Sequence, residues 1–440
     1  MINQNYLRLW LPLVIGSLLQ ALLAALDQVQ APVRNTTTIL ISFDGFRWDY
    51  MSKTDTPNFD FLVRTGVKAP FINPVFPTET LPNHYSMVTG LYPESHGILS
   101  GYYTYDPVWN SSFSMNTTDT RWWNDGEPVW ITNEKQGHKS GVCFFPGYDV
   151  KIRDYLPSYT TKNMGFDKPF YHPINSMSFE AEVDLVINWM QSQDPPSFIA
   201  MYFNEPDETS HEFGPGSTDV KESIRRCDNI TGYLIRRLKE HNLFDRTNLV
   251  LTSDHGHASY NTTFFLNFDN YITQDYYTRS GLTTIQIWPK QDSQLEYVYK
   301  CFKKMQNETH LLTVFKTKEM PERFHFKNNR RAPPIIAIMN EHWVGNNTGF
   351  WKYWLKHNKT DDIHGDHCYN PELLSMKPFF VAKGPSFKEG YTCEPFNAVD
   401  IYPLLCRILN ITPAPNNGSF DRVKELLKDT SATSKLSALV

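Results

Sequence analysis

The sequence predicts an α/β fold: a central, mostly parallel sheet covered by helices on both faces, with inserted loops. Three observations predict it. Several runs of strand length are apolar at every position, which is how a strand buried on both faces reads. Between them lie segments whose apolar residues recur every three or four positions, as on the buried side of a helix. The runs also end in turns rich in aspartate and histidine, and sheets of this kind bind ligands beyond the carboxyl ends of their strands.

Taken in order, "TTTILISF" is the first such run and leads into Asp44. "TETLPNHYSMVTG" reads as a helix start, with Pro82 near the first turn and Thr78 or Thr80 as N-cap. A hydroxyl there also sits in the positive field of the helix end, which favours its alkoxide and permits a nucleophilic role beside a metal. "SFEAEVDLVINWMQSQ" carries Phe179, Val183, Val186, Ile187 and Met190 at helical spacing. "SFIAMYF" runs into "NEPDETSH", where Asp207 and His211 stand four apart and share one face if the turn is helical. Val220, Ile224, Cys227, Leu234, Ile235 and Leu238 mark a further helix, and make Cys227 a candidate buried thiol. "NLVLTS" ends in "DHGH", with Asp254 and His255, and a last run, "PFFVAKG", follows "HGDHCYN", with His364 and His367. No linker splits the chain from Val33 to Leu427, so residues 33–427 read as one catalytic domain and 428–440 as a polar tail. The aromatic segment "WNSSFSMNTTDTRWWNDGEPVW" and the region from Lys290 to Asn347 read as insertions.

A net charge of -5 and the lack of a basic cluster argue against nucleic acid as a partner. Export is expected instead. Arg8 precedes an apolar run from Leu9 to Ala25 that reads as a signal peptide over residues 1–25, or as a signal anchor if it is left uncleaved. Asn-x-Ser/Thr sequons stand at Asn35, Asn110, Asn116, Asn229, Asn261, Asn307, Asn346, Asn358, Asn410 and Asn417, so N-glycans are expected. The expected location is secreted or on the outer face of the plasma membrane. Membrane attachment is expected only through an uncleaved N-terminal segment, because "KELLKDTSATSKLSALV" is too polar to span or anchor. The six cysteines form no CxxC pair, which argues against a thiolate zinc site, and their spacing selects no disulfide pairing.

Asp44, Asp207, His211, Asp254, His255 and His367 follow strands or stand in their turns. Three carboxylates and three imidazoles make an oxygen and nitrogen set suited to zinc. On spacing alone His364 rivals His367, and Thr78 rivals Thr80.

The ordered motifs "ISFDGFRWDY", "FPTETLPNHYSMVTGLYPESHGI", "NEPDETSHEFGP", "TSDHG" and "GDHCYN" resemble the ecto-nucleotide pyrophosphatase/phosphodiesterase family, of the alkaline phosphatase superfamily. The likeness runs from Thr38 to Phe420 and is to the shorter, single-domain members. It implies an alkaline-phosphatase-like fold and two zinc ions. Asp44, Asp254 and His255 would hold one, together with the Thr80 oxygen; Asp207, His211 and His367 would hold the other. It thereby favours Thr80 over Thr78 and His367 over His364. It implies attack by Thr80 on a phosphodiester, a threonyl-phosphate ester, and release by water. A small-molecule substrate follows, with a nucleotide favoured over a phospholipid or choline diester.

Four departures bear on that expectation. Ser100 and Gly101 stand where relatives carry an asparagine that helps hold a phosphate oxygen, so Ser100 or a backbone N–H would have to replace it. Glu79 stands for a lysine. Leu81 replaces a base-stacking aromatic, leaving Tyr159, Phe170 or Tyr171 as the opposite wall. His257 and Cys368 replace a methionine and a glycine. The asparagine loss motivates one rival, a catalytically weak surface protein on the same fold. A sulfatase would need a Cys or Ser followed by Pro and Arg, which is absent, and a phosphomonoesterase would want an arginine near Thr80.

Overall fold

A computed structural model describes residues 36–115, 117–161, 177–346, 348, 352 and 362–428. The segment over residues 1–25, the sequons at Asn35, Asn116 and Asn358, and Phe170 and Tyr171 lie outside the described residues, as does the tail beyond Lys428. Among the described residues no helix is long and apolar enough to cross a membrane.

The main sheet has eight strands: β1 (Thr37–Phe43), β2 (Val67–Ala69), β3 (Ser140–Cys143), β4 (Tyr159–Thr160), β5 (Phe198–Phe203), β6 (Thr247–Thr252), β13 (Phe380–Lys383) and β14 (Tyr391–Thr392). Their order is β14-β2-β13-β6-β1-β5-β3-β4, and only β13 runs against the rest. The apolar runs at β1, β5 and β6 are the parallel centre, as the sequence predicts. "PFFVAKG" differs in direction: as β13 it lies antiparallel to β6. Its N-terminal end therefore shares the edge at which β1, β5 and β6 finish.

Continuous apolar runs arise because each strand feeds two cores. Leu40, Ala200, Val250 and Ala382 point into one, with Leu81, Tyr85 and Val88 of α2 (Thr80–Thr89), Trp130 of α3 (Val129–Lys135) and Leu404 of α8 (Ile401–Leu409). Ile39, Ile41, Met201 and Leu251 point into the other, against α1 (Pro57–Thr65), α4 (Phe179–Met190) and α6 (Thr218–Glu240). The predicted helical stripes are the buried faces of α4 and α6, Cys227 included. None of the six cysteines is in a disulfide. The aromatic segment sends Phe113, Trp122, Trp123 and Trp130 into the first core.

Two smaller parts complete the frame. β7 (Ala258–Asn261) and β12 (Ile363–Asp366) form an antiparallel ribbon. Four antiparallel strands, β8 (Tyr277–Ser280), β9 (Thr284–Pro289), β11 (Ile335–Met339) and β10 (Leu312–Lys316), pair in that order and enclose a third core with α7 (Leu295–Thr309). The region from Lys290 supplies α7 and two of these strands, but the sheet begins earlier, at Tyr277.

Candidate metal centre and nucleophile

Five segments meet at the shared edge. Asp44 follows β1, and Asp254 and His255 follow the neighbouring strand β6. Asp207 opens the helix α5 (Asp207–Phe213), so Asp207 and His211 do share a helical face. The ribbon returns His367 to the others, because Ala258, just after His257, pairs with Asp366. Thr80 is the first residue of α2. Neither threonine caps that helix: Glu79 holds the N-cap position without a side-chain cap bond. The hydroxyl of Thr78 donates to the Tyr369 carbonyl at 3.0 Å, whereas Thr80 Oγ1 lies 3.4 Å from His255 Nε2.

Hydrogen bonds to the backbone fix the tautomers. His255 Nδ1 donates to the Gly256 carbonyl, His367 Nδ1 to that of Thr78 and His211 Nδ1 to that of Gly365, at 3.2, 2.9 and 3.0 Å. Each Nε2 is left with a lone pair, the arrangement that metal-binding histidines adopt. His255 Nε2 then faces Asp44 Oδ1 at 3.5 Å and Asp254 Oδ2 at 3.1 Å. Both oxygens are buried and accept no hydrogen bond. Lone pairs facing lone pairs repel, and unpaired buried carboxylate oxygens are costly. A cation between Asp44, Asp254 and His255 would remove both penalties.

The second group is looser. Asp207 Oδ2 lies 3.5 Å from His211 Nε2, and Asp207 Oδ1 lies 4.0 Å from His367 Nε2. These three residues offer ligand atoms close enough to share an ion. His364 does not join them: its Nδ1 faces the His211 carbonyl and its ring packs near Tyr260.

Charge agrees with this reading. Burial, with Asp254 and Asp207 nearby, pushes the Asp44 carboxyl well up. Burial takes Asp254 to about 8. Burial would also raise Asp207, but His211, His257 and His367 hold it well below the usual range. Burial keeps His255 and His367 neutral, the latter at about 3. Neutral imidazoles at His255 and His367 beside crowded carboxylates form a set that wants divalent cations.

Sequence reasoning missed three supports. Tyr202 donates to Asp44 Oδ2 at 2.5 Å, leaving Oδ1 for a cation. His84, one turn after Thr80, bonds the Thr80 carbonyl and Ser42, both at 2.8 Å, so neither nitrogen is free to ligate. Only its i, i+4 spacing from Thr80 could have signalled it. His257, seen in the sequence without a role, donates from Nε2 to Asp207 Oδ1 at 2.6 Å. Gly45 sits beside this contact at φ 65, and a Cβ there would lie 2.8 Å from His257 Nε2. Cys368 also takes a left-handed φ of 65, a conformation that suits glycine.

The centre opens into a cavity of about 310 Å³ whose lining includes Thr80, Leu81, Tyr102, Met115 and Glu208. Tyr159 does not line it: its hydroxyl bonds Ser192 and Asp194 at the far edge of the sheet. Ser100 and Gly101 do not offer the expected donor. Glu79 Oε1 accepts from the Ser100 hydroxyl at 2.9 Å and from the Gly101 N–H at 2.6 Å.

Comparison with known proteins places this geometry in context. The profile of the type I phosphodiesterase / nucleotide pyrophosphatase family matches residues 38–370. Human ectonucleotide pyrophosphatase/phosphodiesterase family member 5 is 39% identical over 397 residues, 88% of this chain and 77% of the relative. Human bis(5'-adenosyl)-triphosphatase is 36% identical over 396 residues, 89% of this chain and 82% of the relative. The solved structure of murine ectonucleotide pyrophosphatase/phosphodiesterase 5, an inactive threonine-to-alanine variant with AMP, superposes with a TM-score of 0.80. It is 38% identical and covers 89% of this chain and all of its own.

Proposed function

The chain belongs to the type I phosphodiesterase / nucleotide pyrophosphatase family, hydrolases of phosphoric diester and pyrophosphate bonds, and on that premise we propose a threonine-dependent, two-zinc nucleotide phosphodiesterase. The observation that carries this reading is the set of unpaired lone pairs on Asp44, Asp254 and His255, turned toward Thr80. Asp44, Asp254, His255 and Thr80 would hold one ion, and Asp207, His211 and His367 the other. When bound, the pair would supply Lewis-acid stabilisation of the charge that develops on the phosphoryl group.

The chain's own groups do the rest. Thr80 Oγ1 gives its proton to solvent and attacks phosphorus; its bond forms as the bond to the leaving oxygen breaks. Water then attacks the threonyl phosphate and returns Thr80. His84 fixes the Thr80 turn through its carbonyl, and Tyr202 orients Asp44. Among solved relatives, the AMP complex of an inactive threonine-to-alanine variant supports both the nucleophile and a nucleotide substrate. The proposed location is extracellular, secreted or at the cell surface, with a cleaved signal over residues 1–25 and a catalytic domain over 33–427. Leu81 and Met115 give the cavity aliphatic walls, which favours a choline or phospholipid diester as the second reading.

The test is turnover of nitrophenyl thymidine monophosphate by zinc-loaded protein beside Thr80→Ala. The expected result is hydrolysis by the unmodified chain and a loss of about a thousandfold or more in the variant with its zinc retained. Zinc-replete protein that leaves the ester intact, or a variant that still turns over, refutes the proposal. Faster cleavage of nitrophenyl phosphate than of the diester would make it a monoesterase.

A further inference from the structure

We propose that the Tyr102 hydroxyl is the hydrogen-bond donor to a non-bridging phosphoryl oxygen in the reaction at Thr80, an inference that rests on the phosphodiesterase reading above. A phosphoryl group in this cavity gains negative charge as Thr80 attacks, and each oxygen that faces protein rather than a cation needs a donor. Most lining side-chain donors are already committed. Ser100 and Gly101 serve Glu79, Tyr202 serves Asp44, and the Asn204 amide nitrogen is held by Glu208 at 2.5 Å. His255 and His367 present lone pairs, not protons, to the centre, and the His257 Nε2 proton is held by Asp207. Thr80 is the attacking group.

Tyr102 is left. Its hydroxyl makes no hydrogen bond with the described residues, and the residue is 50% exposed on the cavity wall. It lines the cavity over Thr80 and also an adjoining one of about 380 Å³; the two share Glu79, Tyr102 and His211. A phosphorus at that junction places one substituent in each cavity and turns an oxygen toward the shared wall. A phenol with an ordinary pKa of about 10 stays protonated at neutral pH and can donate.

The segment that carries Tyr102 is pinned on both sides. Arg331 bonds the Gly97 carbonyl through Nη1 at 3.0 Å and Asp106 through Nε at 2.8 Å. Between them Glu79, next to Thr80 in sequence, holds Ser100 and Gly101. The Glu79 contacts thus consume two donors while fixing the start of the segment that presents a third. Such preorganisation lets a donor act without moving at the moment of reaction.

The experiment is Tyr102→Phe in the zinc-loaded full chain. The expected result is a fall of about 10- to 100-fold in kcat/KM, by the same factor for nitrophenyl thymidine monophosphate and for a dinucleoside triphosphate, with zinc content and melting unchanged. A value within about twofold of the unmodified chain, a fall that tracks lost zinc, or a fall confined to the poorer leaving group overturns the assignment. If the unmodified chain turns over neither ester, it is the phosphodiesterase reading that fails. Tyr102 is then judged by calorimetric binding of thymidine monophosphate: about tenfold weaker binding in the variant supports the contact, and equal binding overturns it.

Discussion

Asp106→Asn should destabilise the chain through the arginine pair that pins the Tyr102 segment. Asp106 Oδ2 pairs with Arg331 Nε and Arg330 Nη2, both at 2.8 Å, and Arg331 also reaches Asp125 at 3.1 Å. Burial alone would raise the Asp106 carboxyl, but the two guanidiniums bring it down to about 2. Against an unfolded value near 3.9, a shift of about two units corresponds to roughly 2.5 kcal/mol. Arg330 is 42% exposed and screened by solvent, which discounts the figure to about 1–2 kcal/mol. Because the folded pKa lies below the unfolded one, this stabilisation is complete above about pH 4 and is lost as pH falls through about 2. Urea midpoints of the unmodified chain and the variant should differ at pH 7 and converge between about pH 4 and 2. A difference that stays constant over that window would show that lost packing, not ionisation, sets the effect, and would refute the reasoning.

Three further outcomes are expected. Chelation of the metals should lower the melting temperature, and readdition should restore up to about 4 kcal/mol at a thousandfold excess over Kd; an unchanged melt would count against a cation between Asp44, Asp254 and His255. His257→Ala should weaken metal binding about 10- to 100-fold by chelator competition, with partial recovery in His257→Gln, which keeps a donor for Asp207; equal affinity would remove His257 from the centre. Peptide mapping of secreted protein should find glycans among the exposed Asn110, Asn229, Asn307, Asn410 and Asn417 but not at Asn346, only 4% exposed beside Val344; a glycan at Asn346 would contradict that burial.

The sequence by itself determined much of this protein. Runs such as "TTTILISF" are apolar throughout because each strand faces two cores, and that pattern survives in one dimension. The donor types and their place after strands were equally legible, since a turn at the carboxyl end of a strand follows it directly in the chain. The ordered motifs gave the family. What only the tertiary structure decided are relations across long separations. The reversal of β13 depends on pairing with β6 and β2, more than a hundred residues away, which no local pattern encodes. The lone pairs of His255, His367 and His211 face inward because backbone carbonyls take their other protons, and a carbonyl has no letter in the sequence. Glu79 reads as a charge next to Thr80, yet its acceptor ends on Ser100 and Gly101, so the donors that the sequence offered are spent. Tyr159, read as a wall of the site, went instead to the sheet's far edge, because strand order and not chain order sets what stands beside Thr80.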